Sequence, residues 1–323
     1  MKIKKLESVQ KEHSIEVIRF VAATAVVFAH TPYVNIGYFG IDLFFIISGF
    51  VMMLSTEISK RKFFLKRLFR ILPTYYFFTL GVFLIAFFYP SLLNTTTADF
   101  SHLIKSLLFI PFDKNGTGHY PVLFLGWTLN YEMYFYLIFA LSLIFSFKNR
   151  SLITTGILTF FFILCKDYKE FPFSVYGDLI VFEFVIGMII YEAIIKKNKF
   201  NVLLLIFAIL VATLVNKNGI SNRLVNYGLP LALLCSIAII IFKGKKFPKI
   251  FLTLGGASYS LYLTHPYIIQ FFLKITNLFS LGYIETAIIS AVSIVAANII
   301  AIIVYSYLEI PIQNYLRKKF IYN

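Results

Sequence analysis

The sequence predicts an all-α fold: a polytopic membrane helix bundle of about ten transmembrane helices, with N- and C-termini cytoplasmic. Three observations predict it. Hydrophobic residues make up 59% of the 323-residue chain and charged residues only 14%. A typical soluble domain carries about 25% charged residues, so too little polar surface is present to wrap a water-soluble core. The apolar residues are gathered into runs near the ~20 residues that cross a bilayer, too long and too weakly alternating for barrel strands. The Lys and Arg between the runs alternate from one connection to the next, as the positive-inside rule requires.

Taken in order, the apolar segments fall near 14–33, 38–56, 71–90, 122–147, 151–166, 178–195, 200–216, 227–242, 251–273 and 284–309. The fifth and seventh are short for a span. The stretch Met1-Lys2-Ile3-Lys4-Lys5 before the first run has the look of a secretory signal. A second apolar run follows almost at once, with no small-residue cleavage site between, so the first segment is read as a retained helix. With the N-terminus inside, the inner segments 1–13, 57–70, 148–150, 196–199, 243–249 and 310–323 hold 22 Lys and Arg, the outer ones hold 7, and Arg19 lies within the first helix. A miscounted helix would scramble that alternation. The longest connection, 91–121, falls on the outer face, and Phe100 to Phe112 within it has the length of a short interfacial helix.

Other classes are disfavoured on the same evidence. The formal net charge is +15, yet the basic residues sit in short clusters between apolar runs. That pattern fits topology signals and contact with an anionic lipid bilayer, and no nucleic-acid partner is expected. Cys165 and Cys235 lie in or beside apolar segments without zinc or redox spacing, so they read as small apolar filler, and no metal site is expected. No repeat, low-complexity tract or Pro- or Ser-rich linker interrupts the chain. A single transmembrane domain over 1–323, with no appended soluble domain, is expected.

Ionisable side chains in a spanning helix each cost about 2.5–3.5 kcal/mol on insertion scales, so each one needs a reason. Arg19 and His30 are eleven residues apart. On an ideal helix they share a face to within about 20° and stand roughly 16 Å apart along the axis. Imidazole suits proton transfer near neutral pH; the bland reading of His30 is a polar helix contact at the outer interface. Asp42 opens the second segment, where it orients an imidazole or complements the helix dipole. Ser48-Gly49 fits close helix approach. Arg67 and Arg70 are neighbours on one helical face. Two guanidinium forks so placed can grip phosphates, or they are positive-inside anchors. Glu132 is followed by apolar and aromatic residues, so its carboxyl is either paired or held neutral: a site, or an ion pair joining helices. His265 is a second site residue or a packing donor. Glu309 is expected to pair with a base, Pro311 to end the last span, and Asp178 and Glu183 to be packing or interface groups.

Six segments in register are similar to the motifs of membrane acyltransferase family 3, the polytopic O-acetyltransferases of O-antigen, capsule and exopolysaccharide. Arg19 and His30 resemble its basic-x10-His signature. Gly40-Ile41-Asp42-Leu43-Phe44-Phe45-Ile46-Ile47-Ser48-Gly49-Phe50 resembles its second block, and Arg67-Leu68-Phe69-Arg70-Ile71-Leu72-Pro73 its Arg-x-x-Arg-Ile-x-Pro block. Trp127-Thr128-Leu129-Asn130-Tyr131-Glu132 resembles the block found in exopolysaccharide-production members. Ser258-Tyr259-Ser260-Leu261-Tyr262-Leu263-Thr264-His265 and Tyr307-Leu308-Glu309-Ile310-Pro311 resemble the last two. The likeness runs from Glu16 to about Arg317. Two departures stand out: many relatives have paired acids where Glu132 stands alone, and many carry a soluble C-terminal domain.

The resemblance implies cytosolic acetyl-CoA as co-substrate, with no permanently bound cofactor, and a glycan or lipid-linked sugar as acceptor. It implies His30 as the catalytic group and Arg19, Arg67 and Arg70 as donor-binding residues. Asp42 or Glu132 would hold the imidazole tautomer. Direct transfer with His30 as general base and relay through an acyl-histidine are both compatible with it. A transporter or flippase of lipid-linked sugars would show inverted repeats, and a polymerase a larger outer loop; neither accounts for Arg67 and Arg70 together with Arg19 and His30. A bacterial inner membrane is the expected location.

Overall fold

A computed structural model of the chain describes residues 13–32, 34, 37–93, 96–113, 120–216 and 223–322. The basic stretch 1–12 and the outer connection 217–222, both used in the charge count, lie outside the described residues. So do 33, 35–36, 94–95, 114–119 and 323. Among the described residues there are helices and connections and no strand.

In chain order the described α-helices of eight or more residues are α1 (His13–Ala29), α2 (Phe39–Ile58), α3 (Phe63–Phe88), α4 (Phe100–Leu107), α5 (Gly126–Phe145), α6 (Arg150–Cys165) and α7 (Phe182–Tyr191). They continue with α8 (Lys199–Val215), α9 (Leu229–Ile241), α10 (Lys249–Gly256), α11 (Ser258–Leu278), α12 (Tyr283–Val304) and α13 (Ile310–Arg317). Each of the ten predicted apolar segments is thus largely helical. Among the described residues five helical stretches are long and apolar enough to cross a membrane: α2, α3, α5, Leu224–Ile241 and Tyr283–Ile321; α6 and α8 are apolar but shorter.

Three boundaries differ from expectation. The third helix begins at Phe63 and not near 71, so Arg67 and Arg70 stand on it rather than in a loop. Leu65, Lys66, Arg67, Leu68 and Arg70 are strong helix formers, and the chain turns just before them at Lys62, in the left-handed conformation (φ 51°). The ninth segment breaks at Ala257 into α10 and α11, next to the helix-weakening pair Gly255-Gly256. The last helix does not stop at Pro311. A wide π-type turn, Tyr305–Glu309, precedes the proline and the helix runs on through α13, since a looser turn accommodates the missing N–H.

The outward faces are apolar. On α12, Ile284, Ile288, Val292, Val295, Ile299 and Ile303 are exposed, while Thr286, Ser290, Ser293, Ala297 and Ala301 are buried. Both sets recur every three or four residues, so this helix turns aliphatic groups outward and small or hydroxyl groups inward. In water that arrangement would be inverted; in lipid it is the expected one. The protein is an integral membrane protein.

The described residues group into two compact units, one spanning Phe45–Ser236 and the other combining the residues up to Phe44 with Ile237 onward. In the first, α5 packs on α6, α6 on α8, and α3 on α4 and α5. Gly49 of α2 and Gly187 of α7 let two backbones meet: a Cβ on Gly49 would overlap the Phe184 carbonyl, and one on Gly187 the Ile46 carbonyl. Phe184 also stacks on Phe135, with ring centroids 4.3 Å apart. In the second unit, α1, α10, α11 and α12 close on a core of Ala23, Val27, Ala257, Leu261, Ile269, Ala297 and Ala301. Gly255 lies against the Glu16 carbonyl, where any Cβ would collide.

Candidate active site

His30 is the first residue beyond α1, and the helix end itself holds its ring. Helix termini leave carbonyls without helical donors. Here the His30 N–H turns to Val27 O (3.1 Å), and the His30 ring takes the neighbouring Val26 O, with Nδ1 at 2.9 Å. A carbonyl only accepts, so Nδ1 carries the hydrogen and the lone pair of the neutral imidazole is on Nε2. The ring is half-buried and is flanked by Tyr38 at 5.9 Å and by His265 at 4.9 Å between centroids, both edge-on.

His265 is fully buried in α11. Its Nδ1 lies 3.0 Å from Leu261 O. The helical donor for Tyr262 O would be the N–H of residue 266, which is a proline and has none. Its Nε2 is 3.4 Å from His30 Nδ1. Nearby in the same unit, Ser260 Oγ donates to Glu309 Oε2 at 2.6 Å, and Gln313 Nε2 donates to Glu309 Oε1 at 3.1 Å. Glu309 is therefore held by a hydroxyl and an amide.

The other predicted site residues fall as follows. Arg19, on α1, pairs with Glu16 one turn earlier at 3.1 Å. Asp42, in the first turn of α2, is completely buried in the unit that carries His30. In the other unit, Arg67 Nη2 donates to Ser55 Oγ at 2.8 Å, with its guanidinium 5.5 Å from the Phe63 ring centroid. Glu132 Oε1 accepts from Ser48 Oγ at 3.1 Å and makes a short hydrogen bond with the Tyr136 hydroxyl. Arg70 stands one turn beyond Arg67 on α3. The structure thus joins Glu132, Ser48 and Tyr136 in one hydrogen-bonded group of α2 and α5, and ties Arg67 of α3 to Ser55 of α2. It joins His30 to His265 in another. Asp178, exposed, accepts from Tyr131 OH at 3.0 Å and caps Ile180 N at 2.9 Å.

Sequence reasoning left Tyr136 and Ser48 out of the site. Tyr136 had a signal, being four residues beyond Glu132 on the same helix; Ser48 was read only as a small residue. It also counted Arg150 and Lys196 merely as inner-face cations. Both pair with Glu57, at 2.8 and 2.6 Å, and Arg150 is buried.

Apolar outer faces around a hydrogen-bonded, ionisable interior define a polytopic helical membrane protein. The family model for an acyltransferase domain, family 3, matches residues 12–307, and the chain belongs to that family: it is a membrane acyltransferase. It is 31% identical over 297 residues to the exopolysaccharide production protein ExoZ of Rhizobium meliloti (strain 1021), covering 86% of this chain and 90% of that one. A protein of Acidianus two-tailed virus with a provisional acetyltransferase name, ORF330, is 28% identical over 253 residues, covering 71% of this chain and 72% of its own. No solved structure gives a significant match.

Proposed function

We propose that this acyltransferase moves an acetyl group from cytosolic acetyl-CoA to a hydroxyl of a cell-surface glycan or its lipid-linked precursor, of the exopolysaccharide, capsule or O-antigen kind. The observation that carries the reading is the His30 ring, whose Nδ1 is fixed on the Val26 carbonyl at 2.9 Å, which puts the basic lone pair on Nε2. The name of the rhizobial relative speaks for an exopolysaccharide acceptor and that of the viral one for acetyl as the group moved.

The acceptor hydroxyl gives its proton to His30 Nε2 as its oxygen attacks the thioester carbonyl carbon. The tetrahedral adduct collapses, the C–S bond breaks, and the coenzyme A thiolate takes the proton back from Nε2. An ester and a thiol are formed, and His30 is regenerated. Arg67 and Arg70, one turn apart on α3, bind donor phosphates through charge-assisted hydrogen bonds. Arg19, held by Glu16, helps position the donor. Asp42 stabilises the imidazolium, and Glu132 orders Tyr136 and Ser48. The chain forms ten transmembrane helices with both ends cytoplasmic in a bacterial inner membrane. The 22-to-7 distribution of Lys and Arg between alternate segments supports this topology.

Mass spectrometry of surface glycan from cells with and without the protein tests the reading. His30→Ala should remove the acetyl increment while protein abundance stays unchanged. Arg67→Ala combined with Arg70→Ala should raise the apparent KM for acetyl-CoA about tenfold or more, the equivalent of losing one hydrogen bond to a charged group. Full acetylation by His30→Ala would sink the mechanism, and an unchanged KM the phosphate assignment.

A further inference from the structure

Two imidazoles meet in this unit, and both are anchored in the same way. Nδ1 of His30 faces Val26 O at 2.9 Å, and Nδ1 of His265 faces Leu261 O at 3.0 Å. Each carbonyl accepts, so each Nδ1 carries a hydrogen, and a neutral His265 presents the lone pair of Nε2 to His30 Nδ1 at 3.4 Å. The reverse assignment would need His265 Nε2–H to donate into a lone pair on His30 Nδ1. That lone pair would then confront the oxygen lone pairs of Val26 at 2.9 Å. The consistent arrangement is a shared donor: His30 Nδ1–H bonds to Val26 O and, at longer range, to His265 Nε2.

We infer that His265 is a positioning residue for acyl transfer, its neutral Nε2 serving as a second acceptor for His30 Nδ1–H. The inference rests on His30 being the base. When His30 Nε2 takes the hydroxyl proton, Nδ1–H becomes a charged donor and hydrogen bonds to it strengthen. The contact is therefore worth more in the transition state than at rest, and an interaction of that kind acts on kcat and not on KM. The fold devotes particular chemistry to this ring. Pro266 withdraws the helical donor of Tyr262 O on the turn that carries the ring, and the bond from His265 Nδ1 to Leu261 O leaves Nε2 on the side of His30.

The test uses full-length protein in native membranes containing the host's own acceptor, with thiol release from acetyl-CoA normalised to protein amount. His265→Leu should lower kcat roughly 10- to 100-fold, the range for a lost hydrogen bond to a charged group, with the KM for acetyl-CoA within about twofold. His265→Gln and His265→Asn separate positioning from packing. Glutamine can place an acceptor near the Nε2 position; asparagine can serve the Leu261 carbonyl but falls short of His30. Glutamine should recover most of the lost kcat and asparagine little, with equal abundance of the two variants. Wild-type kcat in His265→Leu, or equal kcat in the Gln and Asn variants, would overturn the inference. Activity in His30→Ala would instead remove the reading beneath it, so the two failures are distinguishable.

Discussion

Replacing Arg150 with alanine should destabilise the protein by about 3 kcal/mol, and the structure shows where that figure comes from. Arg150 is 2% exposed. Its Nη2 donates to Glu57 Oε1 at 2.8 Å and to Met53 O at 3.2 Å, Nε to Thr56 Oγ1 at 3.1 Å, and Nη1 to Phe147 O at 2.8 Å. Its guanidinium also lies 4.3 Å from the Phe147 ring centroid. Truncating one member of a buried ion pair costs about 3–5 kcal/mol because the partner charge is left behind. Lys196 stays on Glu57 at 2.6 Å, but that side chain is 41% exposed, so it offsets only part of the loss and the low end of the range applies. At about 2–4 °C per kcal/mol for a chain of this order of size, melting should fall by about 6–12 °C. The assay is retention of the monodisperse peak of detergent-solubilised full-length protein after heating. Arg150→Lys should be intermediate, since an ammonium cannot reproduce the guanidinium fork. Adding Glu57→Gln to Arg150→Ala should cost less than the sum of the single effects. A melting point for Arg150→Ala within about 2 °C of wild type would refute the reasoning, because no buried charge would then have been stranded.

Two further predictions separate neighbouring possibilities. Tyr136→Phe keeps the ring and removes the hydroxyl that bonds Glu132; if that bond orders the α2–α5 polar neighbourhood, glycan acetylation should fall about tenfold at normal abundance, and unchanged acetylation would exclude Glu132 and Tyr136 as a working pair. Gly187→Ala places a methyl group onto the Ile46 carbonyl, whereas Gly156→Ala meets nothing within 4 Å; the first should fail to accumulate in membranes and the second should match or exceed wild type by immunoblot, helix propensity favouring alanine by about 1 kcal/mol.

The helices were legible because lipid cannot satisfy backbone hydrogen bonds, so spanning segments must be long, apolar and helical. Gly49 was legible as a contact point for the same kind of reason. The start of α3 was hidden because Lys66, Arg67 and Arg70 read as loop, although all three are good helix formers. Pro311 misled because a π-type turn upstream cancels its usual effect. Of the site, Glu132–Tyr136 could be read from an i, i+4 spacing, but Glu132–Ser48 spans 84 residues and His30–His265 spans 235. Pairs so distant follow from packing, and packing does not leave a periodic mark in one sequence. The Val26 carbonyl was invisible for another reason: it is main chain, and no side-chain pattern encodes which helix-end carbonyl a ring will take.

The polar groups of this bundle also follow an economy that bears on mechanism. A permanently ionised group inside a spanning helix is costly, about 2.5–3.5 kcal/mol on insertion scales. Arg19 and Arg150 meet that cost with carboxylates. The carboxyls of Glu132 and Glu309 accept from the hydroxyls of Ser48, Tyr136 and Ser260. The two imidazoles are handled differently: each is oriented by main-chain carbonyls. A carboxylate directly on Nδ1 would add a fixed charge and favour the imidazolium at rest, which is spent as a base. A carbonyl sets the tautomer while adding no net charge. On the proposed reading of His30 as the base, main-chain dipoles set its tautomer, and Asp42, buried in the same unit, is the carboxylate that answers the charge the ring gains in each turnover.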